Sequence, residues 1–443
     1  MTVPAAQGVR ALARRPGFVA LLGAEIISGL GSMMTALALP WFVLRTTGSP
    51  TKASAVLAAE IVAILALGVP GAALAARLGA KRTLLLTQLL AAPLVAIIPV
   101  LHYTDLLSFP LLLLVVVLLG GLWTLSYASQ AAIVPELVGE DEDAVGQANA
   151  VLQGASRTPY WLGPLTAGFL IAAFDAPVVL LIDSATFLVG FAILTLVPDS
   201  PVPLEAERGV DILAGVRYIV RTPLLRSVVG TQVLGQASFQ ALVLALPVLA
   251  FEGYGQDPRV AGILEGAWGA GALLGSMLAI PLVRRHDPLS LGIIAWMVQA
   301  LPLWVLILER PLLLLVVALV ASGGANGVRY PPIATLTILR VPSSLRAQTT
   351  AAASAAAMLG GLITLGLTGP ALETVGRPET FAGIAALSSL GAALFFTAAR
   401  RERRRTGTAA RARPAKQMTG FPFVSDHDAQ LHQHGPPPGP RPE

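Results

Sequence analysis

The 443-residue sequence contains no cysteine, which excludes disulfides and thiolate metal sites. Charge is scarce too: 12% of residues are Asp, Glu, Lys or Arg, where an ordinary soluble domain carries about 25%. The patterns of a soluble catalytic site are also missing. There is no HExxH zinc helix, no GxSxG elbow and no Walker loop. The stretch "GAWGAGALLG" (266–275) has the glycines of a nucleotide loop without its lysine, and reads as small-residue helix packing. These absences point away from an enzyme and from ATP hydrolysis, and no cofactor or metal is expected. His427, His432 and His434 lie in a Pro- and Gln-rich tail and read as composition. The net charge of +5 sits in loops and tail, so nucleic acid is not an expected partner.

Apolar residues are abundant, at 55%, with a mean hydropathy of +0.72. A bilayer core of about 30 Å needs roughly 20 apolar residues per helix. Twelve runs of that order occur, near 18–44, 53–76, 83–101, 109–131, 147–173, 177–197, 224–251, 260–282, 289–308, 311–333, 347–372 and 379–399. The first run is too long for a cleavable signal and reads as a span. The fold expected is an all-α membrane protein of twelve spans. The expected division is a cytoplasmic N-terminus (1–17), a six-helix bundle (18–197), a central cytoplasmic loop (198–223), a second six-helix bundle (224–399) and a disordered tail (400–443). Basic residues orient it. With the N-terminus inside, the inner loops hold basic clusters such as Arg14 and Arg15, Lys81 and Arg82, and Arg284 and Arg285. The outer loops hold only Arg45, Lys52, Arg259, Arg310 and Arg377. Both termini are therefore expected in the cytoplasm.

The halves repeat. "GAEIISGLGSMMTALALPWF" (23–42) aligns without a gap on "GTQVLGQASFQALVLALPVL" (230–249), at an offset of 230 − 23 = 207. Gly23 meets Gly230, Glu25 meets Gln232, and "LALP" meets "LALP". "GGLWTLSY" (120–127) matches "GGANGVRY" (323–330) at its glycines and tyrosine. A duplicated six-helix unit with a long midpoint loop is a transporter architecture, with a site between the repeats near the midplane.

The chain resembles the major facilitator superfamily over about 16–399, and within it the bacterial exporter branch of macrolide-efflux and enterobactin-exporter-like proteins. The resemblance is carried by "FVALLGAEIISGLGSMMTALALPWFVLRTTGSP", "IVPELVGEDEDAVGQANAVLQGAS", "LGPLTAG", "LIDSATFLVGF", "GVRYIVRTPLLRS" and "VPSSLRAQ", in that order. It implies two bundles that alternate access to a central cavity. It also implies a gating loop between spans two and three, kept here as Arg77, Gly79, Lys81 and Arg82, with Ala76 where the family has Asp. The antiporter motif of span five survives in part, as Gly163, Pro164 and Gly168, with Ala167 in place of a glycine. The fifth span is implied to pack beside span one and against span eight.

Ionisable residues inside spans cost about 2.5–3.5 kcal/mol on insertion scales and mark pathways or packing. Glu25 begins a small polar face with Ser28 and Ser32 at i+3 and i+7. Its repeat partner opens the stripe Gln232, Gln236 and Gln240. Cavity lining and interhelical hydrogen bonding both account for these stripes. Glu60 and Glu265 read as substrate-cation contacts, protonatable groups or near-interface acids. Asp183 reads as structural, and Arg329 as an arginine snorkelling to the interface. Tyr127 and Tyr330 share a repeat position and are the aromatics expected at the cavity. Arg157 lies about 15 Å into span five at 1.5 Å per residue, too deep to snorkel. Its expected partner is Glu25, or else Glu265.

The expectation is a monomeric secondary active exporter in a bacterial cytoplasmic membrane. It trades protons for a small amphiphilic organic molecule such as a drug, antibiotic or siderophore. An importer or uncoupled facilitator, and a non-transporting receptor or scaffold, are the alternatives.

Overall fold

A computed structural model of the chain describes residues 12–139, 141–198 and 211–411. Among these residues every regular element is helical. The N-terminal half is α1 (Pro16–Thr47), α2 (Pro50–Leu78), α3 (Ala80–Tyr103), α4 (Phe109–Val138), α5 (Glu142–Phe174) and α6 (Ala176–Leu194). A short α7 (Ile212–Arg221) leads into the C-terminal half. That half is α8 (Pro223–Gly253), α9 (Pro258–Arg285), α10 (Pro288–Ala300, continued by a 3-10 turn to Leu308), α11 (Leu312–Arg340), α12 (Arg346–Thr374) and α13 (Arg377–Arg411).

The helix starts are written in the sequence. Proline at the first turn opens α1, α2, α8, α9 and α10, where its missing N–H costs nothing. Ser49, Asp141, Asp211, Asp257 and Asp287 cap helices by accepting backbone N–H bonds. Gly48 ends α1 at φ 65°, a left-handed turn that favours glycine. Among the described residues eleven helices are long and apolar enough to cross a membrane. The long helix outside that set is α5, which starts with Glu142 and Asp143 and carries Arg157. It is nonetheless laid between α1 and α9, as the resemblance implied.

The described residues up to Ala399 form one compact unit, and those from Arg400 belong to a second. The tail expected to be disordered from residue 400 is helical as far as Arg411, because "ARRERRRTGTAAR" is rich in the strong helix formers Arg, Glu and Ala. Residues 412–443, and 199–210 of the central loop, lie outside the described residues.

The repeat persists in three dimensions. Ser28 of α1 meets Gln88 of α3, and Gly235 of α8, at 28 + 207, meets Trp296 of α10. Gly31 faces Asp183 of α6, while Ser238, at 31 + 207, donates to the Ile384 carbonyl of α13.

The apolar core shows how the halves meet. The largest cluster runs through both, joining Leu37, Trp41 and Leu44 of α1 to Leu244, Val248 and Leu249 of α8. Trp41 also packs edge-on against Phe251, with centroids 5.6 Å apart. At the other end the core separates. Phe18, Leu84 and Ile133 form a cluster within the N-terminal half, while Trp296 and Phe395 form one within the C-terminal half. Hydrogen bonds among the described residues join the halves at the shared end. Glu373 of α12 accepts from Ser49 Oγ (2.6 Å) and from the Thr51 N–H (2.9 Å), which caps α2 from the opposite half. Ser54 Oγ donates to the Leu365 carbonyl (2.6 Å), and Arg45 Nη1 to Gln256 Oε1 (2.5 Å). Arg377 adds a forked pair to Glu309 at the same end, inside the C-terminal half. This end is closed, and the end carrying Gly79, Gly139 and Pro342 is where the halves part.

Asp183 is a structural tie. It is buried, accepts from Thr35 Oγ1 of α1 (2.5 Å), and takes a second bond from Thr186 Oγ1 (3.2 Å). Gly31 makes room for it, since a Cβ there would overlap both Thr186 Oγ1 and Asp183 Oδ1. Gly31→Ala is therefore expected to destabilise the protein by about 1–3 kcal/mol through overpacking. A fall in the apparent Tm of detergent-purified protein checks it, and an unchanged Tm would mean that the α1–α6 contact has slack.

Candidate functional site

In the N-terminal half, α2, α4 and α5 bring polar and aromatic side chains together. Glu60 sits on α2 and presents open surface. Gly120 of α4 lets the helices close up here, since a Cβ on it would stand 3.1 Å from the Glu60 carbonyl oxygen. One turn further along α4, Trp123 and Tyr127 stack at 5.2 Å with a 15° interplanar angle, both exposed. Tyr160 of α5 is half exposed and lies within electrostatic reach of Arg157, Tyr127 and Glu60. An acid, a base and three accessible aromatic rings thus share one region. In the C-terminal half, Phe239 of α8 and Trp268 of α9 pack at 4.8 Å.

Glu25 and Glu265, the acids expected near Arg157, each have surroundings of their own. Glu25 is held by Gln130 of α4, whose amide donates to the carboxylate. Glu265 keeps a buried carboxyl oxygen with no hydrogen bond among the described residues. Arg157 lies within electrostatic reach of Tyr160. Gln130 and Glu25 meet across α4 and α1 near the open end, while Glu265 is carried deeper on α9.

The α5–α9 seam is set by glycine. A Cβ on Gly262 would stand 2.5 Å from the Pro164 carbonyl oxygen and 3.0 Å from Gly168 Cα. Gly266 and Gly269 receive the backbone of Trp161 and Tyr160 in the same way. Gly163 does this for Met33 of α1. The expected motif residues Gly163, Pro164 and Gly168 are therefore the packing surface that brings Glu265 beside α5. The Trp161 indole N–H on this seam also has no hydrogen-bond partner among the described residues.

Other expected residues take other places. Ser28 is buried, donates to the Ala24 carbonyl and accepts from Gln88, so it serves the α1–α3 contact rather than the cavity. Ser32 is half-buried and donates to the Ser28 carbonyl. Gln236 and Gln240 lie along Gly361 of α12, and Gln232 is half-buried on the same stripe. Arg77 and Arg82 are exposed at the open end, where Gly79 turns the chain from α2 into α3 at φ 86° and Lys81 follows. The side chain of Tyr330 lies outside the described residues. Arg329 does not snorkel. It is buried with its guanidinium 4.1 Å from the Trp296 ring centre and its Nε donating to Gln299 Oε1 at 2.8 Å. Sequence reasoning missed Gln130, Gln299 and Trp296 because neutral amides and aromatics in spans carry no distinctive signal. Trp123 was visible, one turn before Tyr127.

The sequence profile of the transmembrane secretion effectors matches residues 10–424. The chain belongs to that family of the major facilitator superfamily. It is similar to the multidrug efflux pump Tap of Mycolicibacterium fortuitum, with 24% identity over 378 residues, covering 83% of this chain and 92% of the relative. Tap of Mycobacterium tuberculosis is 22% identical over 396 residues, covering 84% and 90%. Among solved structures, the nucleoside transporter NupG matches with a TM-score of 0.71 at 13% identity, covering 86% of this chain and 99% of that one. The D-xylose-proton symporter matches at 0.67 with 16% identity, covering 87% and 97%. The fold is that of the superfamily. The protein is a multi-pass membrane transporter, and its relatives and fold neighbours are transporters rather than enzymes.

Proposed function

We propose that this transporter is a secondary active exporter that exchanges protons for a small amphiphilic organic molecule carrying a positive charge. The observation that supports it best is the cluster of Glu60, Trp123, Tyr127 and Tyr160, which this reading assigns to a cavity between halves joined at one end. Stacked aromatics hold a planar apolar body, and ring faces and a carboxylate attract its charge. The excess of arginine and lysine in the loops of the parted end makes that end cytoplasmic, with both termini, so the cavity is poised to load from inside. The name of the Tap relatives agrees with outward movement of drugs.

Coupling needs a group whose protonation the cycle can sense. Glu265 fits this role. A buried carboxyl oxygen without a donor is tolerated as the neutral acid and penalised as the anion. Losing its proton favours separation of α5 from α9, which admits water to the seam.

The test uses proteoliposomes, ethidium as a planar organic cation and an imposed pH gradient. Gradient-driven ethidium transport is expected from the native protein and is abolished by an uncoupler. Glu265→Gln is expected to lose gradient-driven accumulation at least about tenfold while keeping ethidium counterflow, because a permanently neutral side chain removes the proton step alone. Native transport indifferent to the gradient would establish an uncoupled facilitator. Accumulation retained in Glu265→Gln would remove Glu265 from the coupling role.

A further inference from the structure

The central connection, read from sequence as a polar loop, contains α7 (Ile212–Arg221), which has an outward face unlike that of a soluble helix. Gly215 and Ile219 are buried. Gly215 is pressed so closely on α12 that a Cβ there would meet the Gln348 backbone carbonyl. Ile219 packs with Val229 of α8 and with Ala352 and Ala353 of α12. The opposite face is exposed and mostly aliphatic. Leu213 is 74% exposed, Val220 57% and Val216 43%. Their spacing of i, i+3 and i+7 makes them one stripe. Arg217 and Arg221, both exposed, lie at i+4 and i+8 from Leu213 and flank that stripe on one side.

Exposed aliphatics in water cost free energy, and a helix with that face flanked by arginines fits the boundary of a bilayer. The position agrees. Only Thr222 separates α7 from α8, a helix long and apolar enough to span, so α7 is held where α8 meets the membrane surface. We propose that α7 is an interfacial helix that docks on anionic phospholipid at the open end. Leu213, Val216 and Val220 enter the acyl boundary, and Arg217 and Arg221 reach back to lipid phosphates. Lipid in the adjoining leaflet is the occupant, because charge and apolarity are presented side by side at the level of the headgroups.

The docking has a route to the transport cycle. The lipid-facing helix is keyed at Gly215 into the start of α12, and the far end of α12 supplies Glu373, Gly369 and the Leu365 carbonyl to the closed end. Anionic lipid under α7 thus holds the helix whose other end forms part of the closure.

The chain contains no cysteine, so a single introduced thiol reports without background. Full-length Val216→Cys, labelled with bimane, is reconstituted into phosphatidylcholine vesicles that contain brominated phosphatidylcholine or brominated phosphatidylglycerol at equal bromine content. Quenching by both lipids is expected, stronger by at least about twofold for the anionic one. Adding Arg217→Gln and Arg221→Gln is expected to equalise the two while leaving quenching itself. Soluble glycerol phosphate added outside is expected to leave quenching unchanged, which separates a membrane site from a free-phosphate site. An unquenched label would overturn the proposal, since Val216 would then face water or protein. Equal quenching by both lipids in the parent protein would overturn its anionic part. Tyr218→Cys, on the half-buried side of α7, provides the position expected to be quenched less.

Discussion

Gly262→Val is expected to reduce transport at least about tenfold while the protein still reaches the membrane, because overpacking of a tight contact costs about 1–3 kcal/mol. The backbones of α5 and α9 touch at Gly168 and Gly262, and even a methyl group on Gly262 would sit 2.5 Å from the Pro164 carbonyl oxygen. Neither partner is a flexible side chain, so neither can swing away. The contact belongs to the closed end, which must separate if the two halves alternate. The strain therefore falls on one state of the cycle and spares the other. A difference of about 1.4 kcal/mol is a tenfold change in their ratio. Efflux of ethidium from cells, normalised to membrane abundance, measures the first effect. Maleimide labelling of Ser54→Cys measures the second, because Ser54 is buried in the α2–α12 closure and becomes reachable only when that end is propped open. Unchanged efflux together with unchanged labelling would show that the seam yields easily.

The features legible in the sequence were those set by local pattern. Run length and turn residues placed the long helices, and α5 stood apart because Arg157 and the acids of its first turn dilute its apolar character. The offset of 207 pairs Ser28 with Gly235, and the structure sets these against Gln88 of α3 and Trp296 of α10. Contacts across helices were less legible. Arg157 and Glu25 looked like complements because both are ionised residues in apolar runs. Their rotation and height are fixed by packing, and Gln130 is the group that reaches Glu25. Arg329 looked like an interface residue by its place along the chain, yet Trp296 and Gln299 house it inside the half. Glu373 caps Ser49 and Thr51 from more than 300 residues away, a contact that no local pattern announces. The stripe of Leu213, Val216 and Val220 was present in the sequence, but average polarity across the connection concealed its period.

Charge at the cavity wall gives the second large effect, and here two substitutions are expected to move in opposite directions. Glu60→Gln keeps the shape of the side chain and removes its charge. A hydrogen bond to a charged group contributes about 1.5–3 kcal/mol, so apparent affinity for ethidium is expected to fall roughly ten- to a hundredfold. A neutral amphiphile such as Nile red is expected to change less than about threefold, since the stacked Trp123 and Tyr127 still receive its rings. Arg157→Ala removes the cation that shares Tyr160 with Glu60 and leaves the acid dominant, which favours ethidium over Nile red. The KM for each probe in proteoliposomes decides between this account and a structural one. Loss of packing would weaken both probes together and in both variants. A difference that depends on the charge of the probe, with sign reversed between Glu60→Gln and Arg157→Ala, has no origin in packing and requires that the transported molecule itself passes the α2–α4–α5 wall.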